Sequence, residues 1–202
     1  MSKKKTLRSE ELSAKKLYLG GSSGSEISAQ LGISLKQVYD SLRRQEIPRR
    51  SSREQNRIRF EKKPLTFTIK EGLSRKERDL LISGLMLYYG EGAKTGSTVD
   101  FANSDPRLLG VFLRFLVTIC GIDTKKLRFY LYCFSDQDSD ALIRFWCSYL
   151  GVDRRQFTRP YVRSTLNKGK RTMENGVLHI RYSDKRLIER ILSLGRELMS
   201  TL

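Results

Sequence analysis

The segment from Ser74 to Gly92, SRKERDLLISGLMLYYGEG, constrains the fold more than any other stretch. Ser74 and Glu77 stand in the S-x-x-E pattern of a capping box, which sets a helix start. Behind it, Leu80, Leu81, Gly84, Leu85, Leu87 and Tyr88 make the helix apolar almost all round. Such a helix has to be covered, by a core or by a second protomer. It ends in Gly90-Glu91-Gly92. The carboxyl end of a helix disfavours negative charge, so Glu91 needs compensation, for which a divalent metal ion such as Mg2+ is a candidate.

The rest of the chain carries patterns of its own. Its patterns predict a strand over 97–102, a helix over 105–120 and a strand over 127–134. A helix over 138–150, an extended piece over 159–163, a strand over 177–182 and a helix over 184–199 follow. Asp105 before Pro106 is an N-cap followed by proline at the first helical position. Gly121 and Gly151 end their helices. The strands alternate. Leu127, Phe129, Leu131 and Cys133 share one face, as do Leu178, Ile180 and Tyr182. The opposite face carries Arg128, Tyr130, Tyr132, His179 and Arg181, with Arg159, Tyr161 and Arg163 aligned in the same manner. A sheet with helices on one side and Arg, Tyr and His on the other suits a major groove, although a solvated sheet face shows the same alternation.

The segment before residue 75 has a different character. Up to Lys70 there are 17 basic and 7 acidic residues, a net of +10 against +7 for the remainder. The total of +17 makes a polyanion the natural partner. Leu12, Lys16 and Leu19 mark the inner face of a first helix that Gly20 and Gly21 end. Ser25 is placed to cap a second helix, which Gly32 breaks, and Ser34 to cap a third. Ile27, Leu31, Ile33, Val38 and Leu42 form a small core. Lys36, Gln37, Tyr39, Asp40, Arg43 and Arg44 are left on the outer side of the third helix, where such residues meet base edges and phosphates. A three-helix bundle for protein contacts is the alternative.

The string SEISAQLGISLKQVYDSLRRQEIPRR resembles helix-turn-helix modules of the resolvase and transposase type. The resemblance implies a basic arm after the third helix that follows a groove, made here by Pro48, Arg49, Arg50, Arg53, Arg57 and Arg59. From residue 76 to 200, the order GLMLYYGEG, strand, NSD opening a helix, then LRFYLY resembles the single-motif bacterial LAGLIDADG homing endonucleases. That resemblance implies an α+β chain. A small all-α helix-turn-helix domain (1–50) and a basic linker (51–75) precede a LAGLIDADG-like domain (76–202) with a curved antiparallel DNA-binding sheet. It also implies a homodimer joined along the motif helix through Gly84, Leu87, Tyr88 and Gly90. Two Glu91 carboxylates would then hold Mg2+ over the scissile phosphates, with Lys94 stabilising phosphate charge. The motif departs from the family in Leu85 and Met86, where small residues are usual, and in the single strand before the next helix. Some relatives in the wider superfamily bind DNA without cutting it, so a non-cleaving regulator stands beside the nuclease.

Several other classes are excluded. No apolar run approaches the roughly 20 residues of a membrane helix, and MSKKKTLRSEEL does not read as a signal peptide. Three cysteines without a CxxC pair argue against a zinc finger and for the reduced thiols of an intracellular protein; joined to that, the resemblance implies a cytoplasmic, nucleoid-associated protein of bacterial or phage type. His179 is the single histidine, so any Ser-His-Asp triad must run through it and a histidine-rich metal site is impossible.

Overall fold

The computed structural model describes residues 2–164 and 173–201, with side chains from Ser9 onward. The chain divides into two compact units, residues 1–64 and 65–202.

The first unit is all helical: α1 (Ser2–Leu19), α2 (Gly24–Leu31), α3 (Leu35–Arg44) and α4 (Ser52–Lys62). Its core joins Ala14 and Tyr18 of α1 to Ile27, Val38 and Leu42, with Leu31 and Ile33 partly buried against them. The expected face of α1 is corrected. Leu12 and Leu19 are each 64% exposed, and the buried positions are Ala14 and Tyr18, one helical turn apart. The cap of α2 shifts as well: Ser23, not Ser25, makes a reciprocal capping box with Glu26. Ser34 caps α3 as expected, paired with Gln37. Gly32 ends α2 in the left-handed region at φ 65°, a conformation that costs glycine no Cβ clash.

The basic arm is not extended. Ser51 and Glu54 form another capping box and start α4, whose backbone satisfies its own hydrogen bonds. The expected linker is therefore half helix. From Leu65 onward it belongs to the second unit: Thr68 N–H donates to Cys120 O (3.0 Å) and Lys70 N–H to Ile119 O (2.8 Å). The Thr66 hydroxyl donates to Asp184 at 2.8 Å, and the Tyr182 hydroxyl to Thr66 O at 2.6 Å.

The second unit runs α5 (Arg75–Glu91), β1 (Val99–Asn103), α6 (Pro106–Arg114), β2 (Arg128–Phe134), α7 (Ser139–Leu150), β3 (Tyr161–Arg163), β4 (Val177–Tyr182) and α8 (Lys185–Met199). A π-helical turn, Phe115–Ile119, continues α6. The sheet order is β1-β4-β2-β3. β4 pairs antiparallel with both β1 and β2, but β2 and β3 are parallel. The sheet is thus mixed rather than antiparallel, because α7 crosses over between β2 and β3 and returns the chain in the same direction. Alternation along the strands is as expected. Phe129, Leu131, Cys133, Leu178, Ile180 and Tyr182 all face the core, joined by Val99 and Phe101.

Helix α5 is covered by its own chain. Gly84 faces Phe115 so closely that a Cβ would lie 2.1 Å from the ring carbon Cγ. The Tyr88 ring stacks on Phe112 at 5.7 Å, and its hydroxyl donates to Ala93 O. Burial pushes that hydroxyl up to a pKa of about 12. Tyr89 reaches α8, donating to Leu192 O at 2.6 Å over the bare Cα of Gly195. The opposite stripe, Asp79, Ile82, Ser83 and Gly90, remains exposed, so the expected all-round burial is half observed.

Gly84→Ala is expected to destabilise the protein by about 1–3 kcal/mol through overpacking against Phe115. Gly90→Ala, where a Cβ meets nothing within 4 Å, should gain about 0.5–1 kcal/mol of helix propensity. Urea denaturation of both variants measures the contrast.

Candidate nucleic-acid interface

The inward side of β1, β4 and β2 is apolar, so pleating places the alternate residues together on the outer side. Register sets Arg128 opposite Arg181, Tyr130 opposite His179 and Tyr132 beside Tyr161. The Arg181 guanidinium lies 4.3 Å over the Tyr130 ring. His179 and Tyr132 are 4.7 Å apart between ring centroids, and Tyr132 and Tyr161 are 5.2 Å apart. Arg128 donates to the carbonyls of Lys125 and Leu127, which holds it along the strand end. Arg159 and Arg163 are exposed towards the β3 edge. The structure thus gathers Arg128, Tyr130, Tyr132, Tyr161, His179 and Arg181 into one surface.

On the β1 edge of that surface sits a residue the sequence reading missed, Asp100. Its carboxylate lies 2.8 Å from His179 Nδ1 and 2.7 Å from Arg181 Nε. The signal was present: Asp100 stands between Val99 and Phe101, so alternation puts it outward. Burial pushes its carboxyl up, but the hydrogen bonds from His179 and Arg181 and the positive charge beside it outweigh this and hold it below the ordinary carboxylate range. Among the described residues no Ser, Thr or Cys is hydrogen-bonded to His179.

Glu91 is the last residue of α5 and is exposed, as is Lys94 in the loop before β1. The helix runs straight into the sheet edge: Gly92 bridges to Phe101, and Ala93 N–H donates to Asp100 O at 2.9 Å. Among the described residues no group of three His, Cys, Asp or Glu is arranged to hold a metal ion. The expected dimer seam is corrected in part. Gly84 and Tyr88 are buried in the core of their own chain, where Phe115 and Phe112 occupy the space a partner helix would need. Leu87 is partly buried against the same core, and Gly90 alone of the four is open.

On the first unit, Lys36, Gln37, Arg43 and Arg44 of α3 are exposed and Tyr39 is half-buried. The Gln37 carbonyl oxygen accepts the Ser34 N–H within the cap. Arg43 pairs with Asp40 at 3.1 Å and Arg44 with Glu11 at 2.6 Å. Both pairs are solvent-facing and therefore weak, so a phosphate can displace either carboxylate. Arg49 lies 4.6 Å over the Tyr39 ring. Arg50 is corrected to a structural role: it lies 4.0 Å over Tyr18 and donates to Ser22 O (3.1 Å) and Gln55 (3.3 Å). Arg53 and Arg57 project from α4 into solvent.

All three cysteines are free thiols, and burial pushes Cys120 up to about 12. Among the described residues no helix is long and apolar enough to cross a membrane. Comparison with known proteins finds no matching family model, no matching curated protein and no matching solved structure.

The Asp100 network carries a pH signature. In the unfolded chain an aspartate protonates near pH 4, whereas folded Asp100 protonates only at lower pH. Its stabilisation is complete above about pH 4 and is lost as pH falls through the folded value. The stability gap between wild type and Asp100→Asn is therefore expected to narrow as pH falls from about 5 to about 2. Urea midpoints across that range test it, and a constant gap contradicts it.

Proposed function

We propose that this chain binds double-stranded DNA through two surfaces. The observation that carries the reading is the outer face of the β1-β4-β2-β3 sheet, where Arg128, Tyr130, Tyr132, His179 and Arg181 gather around a single described carboxylate, Asp100, while the inward neighbours Val99, Phe101, Phe129, Leu131, Leu178 and Ile180 are apolar. A basic, aromatic sheet face of this kind fits a groove and its flanking phosphates. The second surface is α3, read as the recognition helix of a helix-turn-helix formed with α2, with Lys36, Gln37 and Arg43 towards the bases and the α4 arginines towards the backbone. A net charge of +17 supplies the sequence-independent attraction. DNA as ligand places the work in the cytoplasm, at the nucleoid.

A second reading, LAGLIDADG-like Mg2+-dependent cleavage, is favoured by one observation. Glu91 is exposed where α5 joins the edge of that same sheet. One chain supplies a single such carboxylate, so cleavage needs a homodimer that brings two together. The open stripe of α5 around Ile82 and Gly90, rather than Gly84 and Tyr88, is the surface left for that contact. Without cleavage, the same surfaces make a transcription regulator.

Affinity for a site selected from a random pool is expected to fall ~10³–10⁵-fold between about 50 and about 200 mM salt, as for ~6–10 neutralised phosphates. A flat salt response contradicts the DNA reading. With Mg2+, wild type nicks the selected site and Glu91→Gln does not, while both bind it equally. Binding without nicking by the wild type removes the nuclease and leaves the regulator.

A further inference from the structure

A carboxylate is out of place on a DNA-facing surface, because it repels phosphate. Asp100 nevertheless stands on the outward side of β1, only 18% exposed. Asp100 lies opposite Arg181 and Ala102 opposite His179. The carboxylate therefore reaches its direct neighbour through Oδ2 and its diagonal neighbour through Oδ1. Its own backbone is held by Ala93.

Each contact restricts its partner chemically. An ionised carboxylate only accepts hydrogen bonds, so His179 must carry a proton on Nδ1. In the neutral ring Nε2 is then an acceptor with an unshared electron pair. Among the described residues nothing hydrogen-bonds Nε2, and the ring is laid against Tyr132. Arg181 is gripped twice, at Nε by Asp100 and across its plane by Tyr130. A guanidinium held in that way presents its Nη pair edge-on instead of swinging among nearby phosphates.

We propose that Asp100 is a positioning residue that turns His179 and Arg181 into a fixed base-reading pair. His179 Nε2 accepts from the exocyclic amine of adenine or cytosine, and the Arg181 Nη groups donate to O6 and N7 of guanine. This rests on the DNA-binding reading above and adds which residues discriminate and what orients them. The carboxylate raises specificity while lowering the general attraction for DNA.

Two measurements test it. Because His179 is the single histidine, protein labelled with 15N-histidine gives one imidazole spectrum. Nδ1 is expected to be protonated and Nε2 not. An Nε2–H tautomer, or a doubly protonated ring, overturns the acceptor assignment. The second measurement is binding of wild type and Asp100→Asn to the selected site and to unrelated duplex. If Asp100 were only a surface charge, its removal would tighten both alike, and that result overturns the proposal. A positioning role predicts that the specific-to-unrelated affinity ratio falls roughly tenfold to a hundredfold, while unrelated DNA binds as well or better. Arg181→Lys keeps the charge without the planar fork and is expected to show the same loss of ratio. If Asp100→Asn does not fold, the spectrum and Arg181→Lys decide. A wild type that binds no duplex overturns the DNA reading, and this inference with it; binding without preference for the selected site overturns the inference alone. Full discrimination by both variants overturns the inference alone.

Discussion

The close seat of α5 on the α6 segment, with Gly84 against Phe115 and Tyr88 on Phe112, is the constraint on which the second unit depends. It sets how deep the helix lies, and so where its last turn meets the sheet. From that turn Gly92 bridges to Phe101, and Ala93 takes the carbonyl of Asp100. The helix thereby fixes the position of β1, and β1 fixes Asp100, the acidic group that holds His179 and Arg181 on the outer face. A methyl group at residue 84 would act through this chain of contacts on a surface it does not touch.

The outer face shows how charge is managed when a basic surface must also be ordered. Arginines in isolation repel one another and sample many rotamers. Here Arg181 lies between a carboxylate and an aromatic ring, and Arg128 is tied to main-chain carbonyls. The first unit uses the same means: Arg50 is held over Tyr18, Arg49 over Tyr39, and Arg43 and Arg44 are loosely paired. The gradation matters. Arg50, held inside the first unit, keeps its scaffold in shape, while Arg43 and Arg44, in exposed, weak pairs, are available to a polyanion.

Much of this was legible in the sequence, and the failures have physical causes. The strands and their inward faces were readable because period-2 alternation in LRFYLYCF and VLHIRY is unambiguous. The caps at Ser34, Ser74 and Asp105 were readable because each precedes a clean apolar pattern. The α1 face was misread because Leu12 and Leu19 are apolar but exposed, whereas the buried Ala14 and Tyr18 are less hydrophobic by type. The segment 52–62 was taken as an arm because its charge hid a capping box. Gly84 and Tyr88 were assigned to a seam because sequence does not say whether a small residue admits another chain or a side chain of its own. Asp100 escaped because its importance lies in two partners far along the chain, His179 and Arg181.

The strand order has a consequence for how the chain comes into being. β4 lies between β1 and β2 in space but follows both in sequence. While the chain is synthesised from its amino end, β1 and β2 are complete long before the strand that joins them exists. Their apolar faces and open backbone edges must wait for residues 177–182, and such long-range pairing is slow and exposed to misassembly. The first unit, whose contacts are local, is complete well before. The nascent protein therefore carries a finished basic module ahead of an unfinished sheet, and the sheet surface comes into being in one late step, when β4 inserts and brings His179 and Arg181 to Asp100.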